Sequence, residues 1–105
     1  SISDIFFELD SENQITYISP AITNHTGLQP AMLIGKDIAE LFVNLDQDEI
    51  RQRLSQKNYA HVFVQDIRLK KEDATYKWIQ LMLTPVIEDG LRMSCRGRIT
   101  DIHER

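Results

Sequence analysis

The stretch that decides the fold is residues 61–102, HVFVQDIRLKKEDATYKWIQLMLTPVIEDGLRMSCRGRITDI. Apolar and polar residues alternate there with a period of two, in three runs separated by the polar segments 72–74 and 88–90. A period of two is typical of a strand with one buried face, and short polar turns join neighbouring antiparallel strands. The stretch therefore predicts three consecutive antiparallel strands.

Upstream of it, residues 5–20 predict a β-hairpin. Alternating apolar residues flank the polar segment 10–13, in which Asn13 is expected to adopt a positive φ. The apolar residues on the two sides are Phe7, Leu9, Ile15 and Tyr17.

Helices are predicted between the hairpin and the three strands. Residues 21–45 carry short apolar groups interrupted by glycine and proline, which favours several helices of one or two turns. Residues 46–57 begin with acids, end with bases and hold Ile50 and Leu54 four positions apart, which predicts a longer helix with one narrow buried face.

The composition limits what such a chain does. A length of 105 residues, 42% of them hydrophobic, fits one domain with a sizeable core. The net charge of −4 argues against a nucleic-acid binder, and no apolar run approaches the roughly 20 residues of a membrane span. Cys95 is the single cysteine, which excludes an internal disulfide and a cysteine-based metal site. We therefore expect an acidic, cytoplasmic domain that does not insert into a membrane.

Several short motifs, in this order, resemble those of PAS domains over essentially the whole chain. They are residues 10–17 DSENQITY, 19–21 SPA, 26–27 TG, 33–36 LIGK, 76–78 YKW with Pro85 seven residues after Trp78, 89–90 DG, and 97–105 GRITDIHER. The last motif is similar to the Asp-Ile-Thr ending of PAS cores, with His103 in place of Thr. Ala74 departs from the family pattern, because a turn glycine is usual there, and so do Ser19 and Leu28.

The resemblance implies an α+β, PAS-like fold, in which a five-stranded antiparallel sheet carries short helices and one longer helix on one face. It implies a non-catalytic sensory module, here a single domain over residues 1–105, excised from a larger signalling protein. A C-terminal effector such as a diguanylate cyclase or a histidine kinase is expected. The signal is expected to leave through Asp101 and Ile102, with Asp101 capping or anchoring the exit helix.

No residue pattern supports catalysis or a cofactor. The three histidines, His25, His61 and His103, form no pair at helical spacing, and the four glycines form no phosphate-binding loop. Ile38 stands where LOV domains, a PAS subclass, carry their adduct-forming cysteine, and few polar residues would hold a non-covalent flavin. A haem sensor needs an axial ligand, for which His61 is the one weak candidate. No metal site is predicted.

The inward-facing positions predict an apolar interior. They suit a small apolar ligand oriented by Gln65, or a core that the same side chains simply fill. Cys95 is expected to be inert within it. The candidate pocket residues are Phe7, Leu9, Ile38, Phe42, Leu54, Phe63, Gln65, Leu69, Ile79, Leu81, Leu83, Cys95 and Ile99.

The outward sheet face is expected to be unusually apolar, and it predicts a docking surface. A homodimer formed through this face is one interpretation, and a covering N-terminal segment is the other. A module that dimerises without a ligand is thus an alternative to a sensor. The candidate interface residues are Val62, Val64, Trp78, Met82, Arg96 and Arg98, with Arg92 expected beside them.

Overall fold

The protein is described by a computed structural model, which covers residues 3–56 and 60–104. Two strands come first, then the helices, then three longer strands. The elements are β1 (Ile5–Leu9), β2 (Ile15–Ile18), α1 (Ala21–Thr26), α2 (Pro30–Leu33), a 3-10 helix (Ile38–Leu41), α3 (Asn44–Ser55), β3 (Phe63–Lys70), β4 (Tyr76–Glu88), β5 (Leu91–Asp101) and a terminal 3-10 turn (Ile102–Glu104).

The five strands form one antiparallel sheet in the order β2-β1-β5-β4-β3. The first hairpin therefore adds to the far side of β5, and β5 becomes the central strand. The predicted α+β architecture, with one five-stranded sheet and the helices on one face, is confirmed.

The core lies between the inner face of the sheet and the helices. One inner row crosses the whole sheet through the pairs Ile18–Phe7, Phe7–Gly97, Gly97–Leu83 and Leu83–Phe63. Buried residues of the helical layer pack against this face, among them Ile22, Leu33, Ile38, Phe42, Ile50 and Leu54.

The hairpin turns follow the sequence predictions. Asn13 has a φ of 66°, and the carboxylate of Asp10 accepts the N–H groups of Glu12 (2.9 Å) and Gln14 (3.0 Å). Asp89 and Gly90 both take positive φ between β4 and β5, as a tight hairpin requires.

Two β-bulges break the expected alternation. Glu8 pairs with Tyr17, but the next residue of β1, Leu9, pairs with Ile15, so Thr16 is a bulge residue without a partner on β1. Tyr17 therefore faces outward. The prediction that Ile15 and Tyr17 lie on the same face of the hairpin is therefore wrong: Ile15 and Ile18 are buried, and Tyr17 is exposed. On β5, Met93 is the extra residue, and it moves Arg92 from the outer face to the inner one.

The longer helix spans Asn44–Ser55, two residues earlier than predicted at each end. Its start is set by the neighbouring strand, because the N–H of Val43 donates to Arg68 O of β3 (3.1 Å) directly before the first turn. Residue 57, the predicted end, lies outside the described residues.

Candidate functional site

The side chains predicted to line a ligand pocket form the core of the domain. Of the thirteen, all but Gln65 are buried, and they belong to one continuous hydrophobic cluster. The buried members are Phe7, Leu9, Ile38, Phe42, Leu54, Phe63, Leu69, Ile79, Leu81, Leu83, Cys95 and Ile99.

The centre of this core is closed by one aromatic ring. Phe7 on β1 is paired with Gly97 on β5, and the ring lies over the glycine so closely that a Cβ on Gly97 would overlap it. Glycine is therefore required at position 97 for packing. The ring covers the middle of the sheet, where a ligand between sheet and helices would lie.

Open clefts lie at the margin of this core, and each exposes few of the predicted pocket residues. One of about 370 Å³ lies between α2, the Ile38–Leu41 3-10 helix and the β3–β4 turn, and none of the predicted pocket residues lines it. Another, of about 390 Å³, lies between the β1–β2 turn, the end of α3 and the start of β5, and Leu54 is its one member of the predicted set. A cleft of about 320 Å³ between α3 and β3 is lined by Phe63 and Gln65, and one of about 250 Å³ by Leu9 and Cys95.

Gln65 was predicted to orient a ligand, but the structure places its amide at the exposed edge of the sheet. The side chain is half-buried on the edge strand β3, and its Nε2 donates to Asp66 O of the adjacent residue (3.4 Å). The amide is thus engaged at the exposed edge of the sheet.

The thiol of Cys95 is buried in the core of β5. Burial raises the pKa of Cys95 to about 11, and its Sγ makes one weak contact, to Arg96 O at 3.6 Å. A thiol with this pKa is almost wholly protonated near pH 7, which makes it a poor nucleophile.

His61, the weak candidate for a haem ligand, is exposed and lies two residues before β3 begins. Its imidazole therefore does not share the inner face with Phe63, because the alternation of a strand starts only at Phe63.

His25 on α1 belongs to a series of hydrogen-bonded polar side chains that sequence reasoning missed. Lys77 Nζ on β4 lies 3.1 Å from His25 Nδ1 and donates to Asp101 Oδ2 at 3.2 Å. Because Lys77 can only donate, His25 carries its proton on Nε2, which lies 2.7 Å from the carbonyl of Ser3. These hydrogen bonds connect α1, β4 and the end of β5.

Asp101 caps the terminal 3-10 turn through its side chain. Its Oδ1 accepts the N–H of His103 at 2.9 Å, and Ile102 begins the terminal 3-10 turn. Desolvation acts to raise the pKa of Asp101, but the hydrogen bonds from His103 and Lys77 outweigh it and lower the pKa below its ordinary value. The Ser3 hydroxyl also donates to the Glu104 carboxylate, so residues near the two ends of the chain are in contact.

The outer face of the sheet carries the predicted interface residues and one apolar row. The row runs through the cross-strand pairs Phe6–Arg98, Arg98–Met82 and Met82–Val64. Trp78 is 41% exposed and Phe6 48%, and Val62, Val64 and Arg96 are also exposed. The predicted interface residues did not include Phe6 and Tyr17, which are also exposed. Phe6 stands one position from Phe7, so strand parity alone would have found it.

A charged clamp ties the helical layer to the edge of this sheet. Arg68 Nη2 lies 2.7 Å from Asp46 Oδ1, and Asp46 Oδ2 accepts from both the side-chain Nε (3.1 Å) and the backbone N–H (2.9 Å) of Arg68. The guanidinium also stacks near Trp78, 5.2 Å from its ring centre. The hydrogen bond from Arg68 lowers the pKa of Asp46, against the desolvation that raises it.

Within the described part of the chain, no group of three or more His, Cys, Asp or Glu side chains is placed to hold a metal ion. Across the same residues, no helix has the length and apolar character needed to cross a membrane.

The domain is thus an α+β module, in which a layer of short helices covers one face of a five-stranded antiparallel sheet over an apolar core. The chain belongs to the PAS family, since the model of the PAS fold matches residues 1–102. The domain is therefore a PAS sensory domain, a class that is generally non-catalytic, and the resemblance drawn from its motifs is confirmed.

Solved structures agree with this assignment. A PAS domain from Colwellia psychrerythraea superposes with a TM-score of 0.84 at 22% identity, covering 98% of this chain and 89% of that one. The N-terminal domain of a diguanylate cyclase with PAS/PAC sensor from Marinobacter aquaeolei gives 0.81 at 22% identity, covering 94% of each chain. A domain of a putative light and redox sensing histidine kinase from Haloarcula marismortui gives 0.80 at 17% identity, covering 94% of this chain and 89% of that one. No curated protein sequence matches the chain.

Proposed function

We propose that this PAS domain is a relay module. It associates with a second copy through its outer sheet face and passes the resulting change along β5 to an effector domain that follows it. The interior serves as a rigid core in this proposal and not as the receptor of a ligand.

The filled interior supports this interpretation. The predicted pocket residues pack on one another, the Phe7 ring covers Gly97, and the amide of Gln65 is engaged at the sheet edge. A ligand pocket generally offers a cavity of several hundred Å³ and a few convergent polar groups. The observation that carries the proposal is the closure of the sheet centre by Phe7.

The outer face supports association with a second copy. Its apolar row lies beside Trp78, and aromatic and arginine side chains dominate the binding energy of many interfaces. Glu8 and Arg96 are paired across β1 and β5 and both are exposed at the rim of this row. A surface that carries both signs of charge around an apolar centre is self-complementary, as a two-fold dimer requires.

The C-terminal anchor supports transmission from β5. Phe6 and Arg98 lie in the apolar row, and Arg98 is three residues before Asp101 on the same strand. A shift of β5 at the interface therefore reaches Asp101 and its bonds to Lys77 and His103 through a continuous strand. Two packings of β5 and its exit turn, biased by the partner, would constitute the signal.

A diguanylate cyclase or a histidine kinase remains the proposed effector, because similar domains occur in proteins described by those names. A cytoplasmic location is part of the same proposal, since such effectors act there.

Sedimentation equilibrium of the domain tests the association. Trp78→Ala removes the largest side chain of the face and should raise the dimer dissociation constant by roughly tenfold or more. The matched control is Leu45→Ala, because Leu45 is exposed on α3, away from the sheet. Equal dissociation constants for the two variants, or a wild-type domain that stays monomeric at millimolar concentration, would contradict the dimer.

The competing hypothesis is a sensor in which a small apolar ligand enters the interior. It requires the Phe7 ring to leave Gly97, since the ring occupies the centre of the sheet. A ligand retained through purification would favour that hypothesis.

A further inference from the structure

Arg92 is the one arginine of β5 that does not lie on the outer sheet face. The bulge at Met93 turns it toward α3, where its Nη2 donates to Leu54 O at 3.0 Å. Leu54 lies in the last turn of α3, where a cation is favoured by the helix dipole. Bulges commonly redirect a side chain beside a functional site.

Two of the three guanidinium nitrogens of Arg92 lack acceptors among the described residues. Its Nε and Nη1 atoms are shielded from solvent and make no hydrogen bond to the protein. Across residues 3–56 and 60–104, Arg51, Arg68 and Lys77 each have a carboxylate partner, whereas no carboxylate pairs with Arg92. A partly buried cation without a counter-ion is costly, so an anion bound at this place would be favoured.

Arg92 borders the cleft of about 390 Å³ at the margin of the core. The cleft combines hydroxyl and amide groups with apolar side chains, and none of the described residues that line it is a carboxylate. Asn13 contributes a buried Oδ1 that also makes no hydrogen bond. The lining residues besides Arg92 are Ser11, Asn13, Leu54, Ser55, Leu91 and Met93.

We propose that this cleft binds a small monocarboxylate with an apolar tail. Its carboxylate accepts hydrogen bonds from Arg92, and its tail lies against Leu91 and Met93. A single positive charge matches a monoanion, and a planar guanidinium suits a carboxylate better than a spherical ion. Because Nε and Nη1 are shielded, Arg92 shifts within the cleft as the ligand enters.

The side chain of Asn13 completes the polar end of the site. Rotation of its amide exchanges the orphan oxygen for an NH₂ group, which becomes a second donor to the carboxylate. The site lies apart from the outer sheet face, and the proposal goes beyond the relay function without depending on it.

Hexanoate is the probe for this site, and calorimetry with backbone NMR of the 105-residue domain is the measurement. We expect saturable binding, with shifts concentrated at the residues of the cleft. Hexanamide has the same tail without the charge, and it should bind at least about tenfold more weakly. Arg92→Gln should weaken hexanoate binding by about tenfold or more, whereas Arg51→Gln, the same charge change at an exposed position of α3, should leave it within about twofold.

Each contrary result overturns the proposal. If hexanoate did not bind, or if hexanamide bound the wild-type domain equally well, the cleft would not recognise a carboxylate. Equal affinity of the Arg92→Gln and Arg51→Gln variants for hexanoate would show that Arg92 does not hold the carboxylate. Inorganic phosphate that binds as tightly as hexanoate would make the cleft a general anion site. The comparison of hexanoate with hexanamide needs no variant, so it stands even where Arg92→Gln fails to fold.

Discussion

The ring of Phe7 lies face to face with the backbone of Gly97, its partner across the central pair of strands β1 and β5. The contact requires glycine at position 97, because any side chain there would enter the space that the ring fills. It also decides that the centre of the sheet is occupied by protein.

Gly97→Ala should therefore destabilise the domain strongly. Overpacking a well-filled core costs about 1–3 kcal/mol, and we expect a value near 3 kcal/mol because the new methyl group meets a buried ring. Urea unfolding followed by tryptophan fluorescence measures the loss. In a Phe7→Leu background the same substitution should cost at least about 1 kcal/mol less, since the smaller side chain leaves room. Additive effects of the two substitutions would show that the ring is not what excludes a side chain from position 97.

Ala74→Gly should stabilise the domain. Ala74 adopts a φ of 71° in the β3–β4 turn, and a left-handed conformation costs an L-residue about 1–2 kcal/mol. Glycine removes this strain but adds about 0.4–1 kcal/mol of chain entropy in the unfolded state, so we expect a net gain of about 0.5–1 kcal/mol.

The control for Ala74→Gly is Ala31→Gly on the exposed side of α2, where φ is that of a helix. The same substitution should there lower the free energy of unfolding by about 0.5–1 kcal/mol. A loss of stability in both variants would show that the strain at Ala74 is relieved by its surroundings.

Acid should weaken the clamp between Asp46 and Arg68. The pKa of Asp46 is lowered in the folded domain, so its stabilisation is complete above the ordinary pKa of 3.8 and is lost as the pH falls through the lower folded value. Asp46→Asn should lower stability at pH 7 and should reduce the further loss on going from about pH 5 to pH 3.

The control for the clamp is Asp48→Asn, which removes an exposed carboxylate from the same helix. It should leave both the stability at pH 7 and its acid dependence close to those of the wild type. If Asp46→Asn and Asp48→Asn showed the same dependence of stability on pH, the loss of stability in acid would not come from the Asp46–Arg68 pair.

Lys77→Met should loosen the C-terminal exit. The substitution removes the bonds from Lys77 to both His25 and Asp101, so the hydrogen bond from His103 N to Asp101 should open more often. We expect amide exchange at His103 to rise by about tenfold. Lys36→Met, which changes an exposed lysine outside this chain of bonds, should leave the rate unchanged. An unaltered rate in Lys77→Met would remove Lys77 from the anchor.

Local patterns were sufficient to predict most of the fold. Alternation over residues 61–102 placed the three long strands, and the polar segment before Ile15 placed the first hairpin. The motifs supplied the single five-stranded sheet that periodicity lacks, whereas the position of β5 at its centre emerged only from the structure. Nine of the predicted pocket residues are buried because strand parity determines which face a side chain takes, and the other three, Ile38, Phe42 and Leu54, are buried in the helical layer.

The site could be predicted only in part, because it depends on register. A bulge inserts one unpaired residue into a strand and reverses which side chains beyond it face inward. Nothing in the local sequence distinguishes the bulge residues Thr16 and Met93 from their neighbours. The outward Tyr17 and the inward Arg92 both follow from such shifts. His25 and Lys77 are 52 residues apart, so their contact needs the assembled fold.

Native mass spectrometry of the freshly purified domain tests the central claim most directly, since it reports bound ligand and oligomeric state together. The account predicts a dimer whose mass equals two polypeptide chains, with the interior carrying no retained apolar molecule. A bare monomer would contradict the dimer. A stoichiometric apolar adduct that survives Arg92→Gln, and is lost when the core is overfilled by Ile79→Phe, would contradict the filled interior. That result would place the ligand in the interior and restore the sensor.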